Sequence, residues 1–196
     1  PFQFVSWDKE AKTVYRRFSG YWQKGKPYLD GIEWIPMADS MTRVFSLKKG
    51  ETDLMIITTG KDIADLEKSG FVVKRQQVGS GVISITFDSA NPNSPFSKLK
   101  VRQAAQYAID AGGLNKAIYY GEVKPANQWT YHGHWAFNST VKGYPYDPAK
   151  SKRLLTEAGY PNGFKTKLTH LTSPDNDKLY QAVQGYLQAV GIDAQL

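Results

Sequence analysis

The stretch Asn91-Pro92-Asn93-Ser94-Pro95 constrains this 196-residue chain more than any other feature. Proline lacks a backbone donor and keeps the residue before it out of the helical region, so neither a strand ladder nor a helix runs through such a segment. Ahead of it, apolar and β-branched residues come in short alternating runs. Beyond it, they come at helical spacing. The chain therefore reads as two parts, a strand-rich 1–90 and a helix-rich 91–196, and its fold class as mixed α/β (α+β).

In the first part, Phe2–Val5, Thr13–Phe18 and Ile32–Met37 read as strands, with turn chemistry at Ser6–Glu10 making a hairpin of the first two. Asp39-Ser40 caps a helix carrying Met41, Val44, Phe45 and Leu47, with Gly50 as its stop. Asp53–Thr58 reads as a strand, Lys61–Ser69 as a brief helix, and 71–78 and 82–87 as two more strands. In the second part, Val101, Ala104, Ala105, Ala108 and Ile109 form one helical face. Leu114–Tyr120 is a short helix, and 122–146 is a long loop rich in aromatics and proline. Asp147-Pro148 opens a helix through Ala158, since a carboxylate cap and a first-turn proline both suit free N–H groups. Strand 165–171, helix 175–190 and strand 192–196 make a βαβ unit whose strands should run parallel.

Composition removes several functions. With 41% hydrophobic and 22% charged residues, wholesale disorder is excluded, and no run approaches the ~18 apolar residues of a membrane span. The absence of cysteine removes disulfide scaffolds, thiolate nucleophiles and cysteine-ligated metals. The net charge of +7 is spread over single residues and pairs rather than a tract, which reads as solvated surface and argues against a nucleic-acid partner. The chain opens on Pro1-Phe2-Gln3-Phe4, so any targeting leader is expected to lie outside it or to have been removed.

Catalytic patterns are missing too. Gly60-Lys61 lacks the upstream glycine of a phosphate loop, and Gly79-Ser80-Gly81 precedes a strand pattern, so those glycines read as turn residues. His132 and His134, two apart in an extended loop, could both face a metal, but with no third ligand assigned a surface or cleft-lining role is expected and no metal site is assigned. Asn138-Ser139-Thr140 fits a glycosylation sequon, a short pattern of little weight. No cofactor and no enzymatic activity are expected.

An ordered set of motifs then points to one family. Pro95-Phe96-Ser97-Lys98-Leu99-Lys100-Val101-Arg102-Gln103-Ala104-Ala105-Gln106-Tyr107-Ala108-Ile109-Asp110 resembles the "PF-x-D-x-x-VRQA-x-x-x-AID" signature of family 5 extracellular solute-binding proteins, the dipeptide, oligopeptide and nickel receptors of ABC importers. Gly121–Ala126 resembles its "G-x-x-x-PA" loop, and Tyr146–Lys150 with Leu154–Tyr160 its "YDP…LLxEAGY" segment. Phe2–Trp7, Tyr21-Trp22, Pro27–Asp30 and Gly50–Asp53 resemble the upstream pattern. Two positions depart: the aspartate usual after Pro-Phe is replaced around Lys98, and the usual Phe-Asn is Phe87-Asp88.

The resemblance implies a type II periplasmic-binding-protein-like fold, with this chain the interior of a longer two-lobed clamp. Residues 1–90 would belong to the first lobe, 91–196 to the second, and Asp88, Ser89, Ala90 and Asn91 to a hinge between them. It implies a periplasmic or extracellular, membrane-associated location, a peptide or other small solute, and delivery to ABC permease subunits; a sensor or adaptor on the same fold is the alternative. Ligands of open α/β sheets bind beyond the carboxyl ends of strands. That rule picks Thr172, Ser173, Asp175 and Asn176, although Ser173 and Asp175 also suit helix caps. Asn127, Gln128, Trp129 and Tyr131 are the second candidates, with amides and aromatics suited to a peptide-like solute, although Trp129 equally suits packing within a lobe.

Overall fold

The computed structural model describes residues 1–57, 59–75, 82–131 and 133–196, and the side chains of Pro174 and Asp175 fall outside that description. The turn expected at Gly79–Gly81, and His132, therefore lie outside the described residues. The chain forms two compact units, Pro1–Ile57 and Thr58–Leu196, so the crossing at 91–95 lies inside the second.

The first unit is an antiparallel meander with one helix. Strands β1 (Phe2–Asp8), β2 (Lys12–Arg17) and β3 (Gly31–Trp34) pair in that order. The hairpin turn is tighter than expected: Ser6-Trp7-Asp8 continues the strand, and the reversal falls at Glu10, whose φ is 67°. A bulge between Phe4 and Ser6 absorbs one residue of register, which re-aims Trp7 onto the Phe4 face. Phe4 meets Tyr15 edge-on at 6.2 Å, and Lys12 bridges to Glu33 at 2.9 Å. Helix α1 (Ser40–Lys49) starts where expected because Asp39 accepts from the N–H and the hydroxyl of Thr42 at 2.7 and 2.8 Å. These bonds to the carboxylate hold Asp39 below the usual carboxylate range.

The second unit is helical around a short parallel sheet. It contains α2 (Gly60–Lys68), α3 (Leu99–Ala108), α4 (Ala111–Tyr119), α5 (Pro148–Glu157), β4 (Phe164–Lys167), α6 (Pro174–Gln188) and β5 (Ile192–Gln195). Val101, Ala104, Ala105 and Ala108 are buried, and their small side chains let α3 lie close on α5, where Ser151, wholly buried, donates to Ala104 O at 2.8 Å. Leu155 from α5, Leu179, Val183 and Leu187 from α6, and Ile192 from β5 complete that core. β4 and β5 pair in parallel, as the βαβ pattern predicts.

Three strand expectations fail over their described residues; Thr58 and residues 76–78, the ends of two of them, lie outside that description. Residues 53–57, 71–75 and 82–87 belong to no strand among the described residues. Alternation reports which side of a segment is buried, not whether a neighbour supplies a ladder. At 82–87 the first half of that statement holds: Ile85 and Phe87 pack on the core, and no ladder accompanies them. Helix α4 also begins earlier than Leu114. Gly112-Gly113 looks like a breaker, but Asp110 accepts from Gly113 N at 2.8 Å and draws both glycines into the first turn.

Candidate functional site

The long loop between α4 and α5 carries the first group of candidates. Its two amides are engaged inside the loop. Asn127 Nδ2 donates to Val141 O at 2.8 Å, and Gln128 forms a reciprocal pair with the backbone of Asn138, donating to its carbonyl and accepting from its N–H, both at 3.0 Å. Asn138 in turn accepts from the N–H and hydroxyl of Thr140. These ties stand where a ladder would otherwise satisfy the backbone. The rings are left outward: Trp129 is 74% exposed and Tyr131 38%. Of two neighbouring rings, His134 is read from the sequence with His132, and Trp135 is not. Tyr131 meets the His134 ring edge-on at 5.4 Å, and His134 leans on Trp135, which is 91% exposed.

The second group surrounds the start of α6. Ser173 is the N-cap, accepting from Asn176 N at 3.2 Å, and Asn176 Nδ2 donates to Leu171 O at 2.9 Å. Thr172 is exposed, and the Asp175 side chain lies outside the described residues. Behind this turn His170 stacks on Tyr180 at 4.7 Å and lies 3.6 Å from Asp177, so the loop is braced from beneath. The hydroxyl of Ser173 thus serves the helix, as a cap should. Among the described residues no hydrogen bond, ion pair or ring contact joins this group to Asn127, Gln128, Trp129 or Tyr131.

Two open recesses stand out. One, about 480 Å³, lies on the meander against Phe2, Tyr15, Ile32 and Trp34. The other, about 300 Å³, lies between the ends of α5 and α6 against Lys152, Tyr160 and Ala189. Neither includes a candidate residue from the two loops.

The residues expected to form a hinge are exposed and locally tied. Asn91 Nδ2 donates to Asp88 Oδ2 at 3.0 Å, a bond that uses the carboxylate standing where the family pattern has asparagine. On either side the chain is anchored by apolar packing: Phe87 stacks on buried Phe96 at 4.8 Å, and Phe96 meets Phe164 edge-on.

A further cluster has no counterpart in the sequence reading. Arg75 donates from Nε and Nη2 to the two oxygens of Glu122 at 2.6 and 2.8 Å, and from Nη1 to Glu67 at 2.7 Å. Its hydrogen bonds hold both glutamates below the usual carboxylate range, and the two carboxylates raise Arg75 further above its already high value. Glu122 lies 47 residues from Arg75, which is why no local pattern signals the pair.

The mixed α/β backbone places the chain among type II periplasmic binding proteins. DppA from Helicobacter pylori, solved in complex with peptide STSA, superposes over 100% of this chain and 37% of its own, with a TM-score of 0.75 at 30% identity. AgaA from A. tumefacien R10, solved with agropinic acid, covers 100% of this chain and 40% of its own, with a TM-score of 0.78 at 29% identity.

The chain belongs to the bacterial extracellular solute-binding proteins, family 5, whose model matches residues 1–196. It is 36% identical over 201 residues to the glutathione-binding protein GsiB of Escherichia coli K12, a match that takes in 100% of this chain and 38% of that protein. The chain thus spans less than two fifths of the length of the curated relatives it matches. Those relatives are binding proteins by name, and no helix among the described residues is long and apolar enough to cross a membrane.

Proposed function

We propose that the protein containing this chain is the substrate-binding component of an ABC importer. It captures a peptide or related small solute outside the cytoplasmic membrane, passes it to permease subunits, and performs no chemistry on it. The family match over every residue of the chain carries this reading. The ligands named for the relatives, glutathione, peptide STSA and agropinic acid, support a small solute rich in polar groups.

In this reading residues 1–90 contribute to one lobe and 91–196 to the other, and Asp88, Ser89, Ala90 and Asn91 form one hinge connection. Solute enters the open cleft and the lobes close on it. Trp129 and Tyr131 offer ring faces, with Asn127 and Gln128 fixing the loop that presents them. Thr172, Ser173, Asp175 and Asn176 offer a helix start, where peptide N–H groups and the helix dipole favour a carboxylate.

Isothermal titration of the full-length protein with glutathione, STSA and agropinic acid tests the reading. Saturable one-site binding of at least one is expected. Silence with all three, together with turnover of any, would overturn it.

A further inference from the structure

The lobe assignment puts α2 and Arg75 in the first lobe and α4 and Glu122 in the second, while these elements pack within one compact unit. They meet closely. Gly60, the first residue of α2, lies so near the end of α4 that a Cβ would overlap Tyr119 O, so the two backbones touch with no side chain between them. Beside that contact the guanidinium of Arg75 spans the gap. It holds both oxygens of Glu122, just past α4, and one oxygen of Glu67, near the end of α2.

The geometry matters more than the charge. A planar guanidinium meets a carboxylate through two parallel bonds only when both distances are right together. A shift of about 1 Å between α2 and the end of α4 stretches one of them beyond hydrogen-bonding range. Such a contact discriminates between two arrangements of its anchors, where a single flexible lysine would follow the movement.

We propose that Arg75, Glu122 and Glu67 form a latch between the lobes, which favours the arrangement in which the three side chains meet and so sets the balance between open and closed clamp. The proposal rests on the clamp reading above. Arg75 is here a positioning residue that acts through the lobes.

The test uses the full-length protein with spin labels on cysteines introduced at Asp65 of α2 and Lys152 of α5, both exposed, and reads the distance between them with and without glutathione, STSA or agropinic acid. In the parent protein the distance should change with solute. R75A and E122A should each change the ratio of the two distance populations by about 5-fold, the scale of a well-formed, partly exposed ion pair. The double variant should add little to either, and solute affinity should move by no more than the same factor. A lower unfolding temperature with unchanged distances would overturn the latch. So would a fixed Asp65–Lys152 distance in a protein that still binds solute in the titration, since α2 would then be part of the second lobe. The first result leaves the proposed function untouched, and the second moves only its lobe boundary. Absence of binding to all three solutes in the titration, together with turnover of any, removes that function, and the latch with it.

Discussion

Single residues decide the outcome where two local rules conflict. Gly113 lies in the first turn of α4, where replacing glycine by alanine ordinarily stabilises a helix by up to about 1 kcal/mol. Here a Cβ would sit 2.5 Å from Asp110 Oδ2, the capping carboxylate. Swinging that carboxylate away relieves the overlap but gives up the cap, at about 1 kcal/mol. G113A should therefore lose the usual gain and leave stability within about 1 kcal/mol of the parent, read as the urea midpoint at constant slope. Ser151 presents a simpler case. Ser151→Ala removes the hydroxyl that meets Ala104 O and leaves no larger void, so a loss of about 1 kcal/mol is expected in the same measurement. Ser151→Leu should cost more, because the wholly buried contact between α3 and α5 has no room for added carbons.

At the scale of elements, what the sequence discloses depends on how far apart the cooperating residues lie. Asp39, Asp147 and Ser173 are caps readable from three or four residues, and each accepts the expected backbone N–H. The face of α3 and the parallel β4–β5 pair were legible from periodicity and connection length. The segments at 53–57 and 82–87 were not, because pairing depends on a neighbour that alternation does not specify. The candidate loops were legible as loops, but that Asn127 and Gln128 spend their amides on Val141 and Asn138 needed coordinates. Least legible was the junction of α2 with α4, built from Gly60, Arg75 and Glu122 across ordinary sequence distances. Its electrostatics give a pH test. Glu67 and Glu122 have lowered values in the folded state, so the contribution of their tie to Arg75 is complete above the ordinary 4.5 and is lost as pH falls through those lowered values. The unfolding temperature of R75A should lie below that of the parent at pH 7, and the gap should narrow as pH falls below the ordinary 4.5 and close once it is below the lowered values of both glutamates. A gap independent of pH would mean that Arg75 acts through packing alone.

For the whole molecule, the family match spans every residue, while the chain covers 38% of the length of relatives such as GsiB, so the proposed cleft needs the rest of the full-length protein. The 196 residues alone should therefore bind the solutes of the full-length protein weakly or not at all, and micromolar affinity of the isolated chain would show that one lobe pair is not needed to enclose them. The central claim, that these residues are parts of two jaws closing on a small solute, is met most directly by small-angle scattering of the full-length protein during titration with the solute it binds. A saturable fall in radius of gyration that tracks occupancy is expected. Full occupancy with an unchanged radius would contradict it.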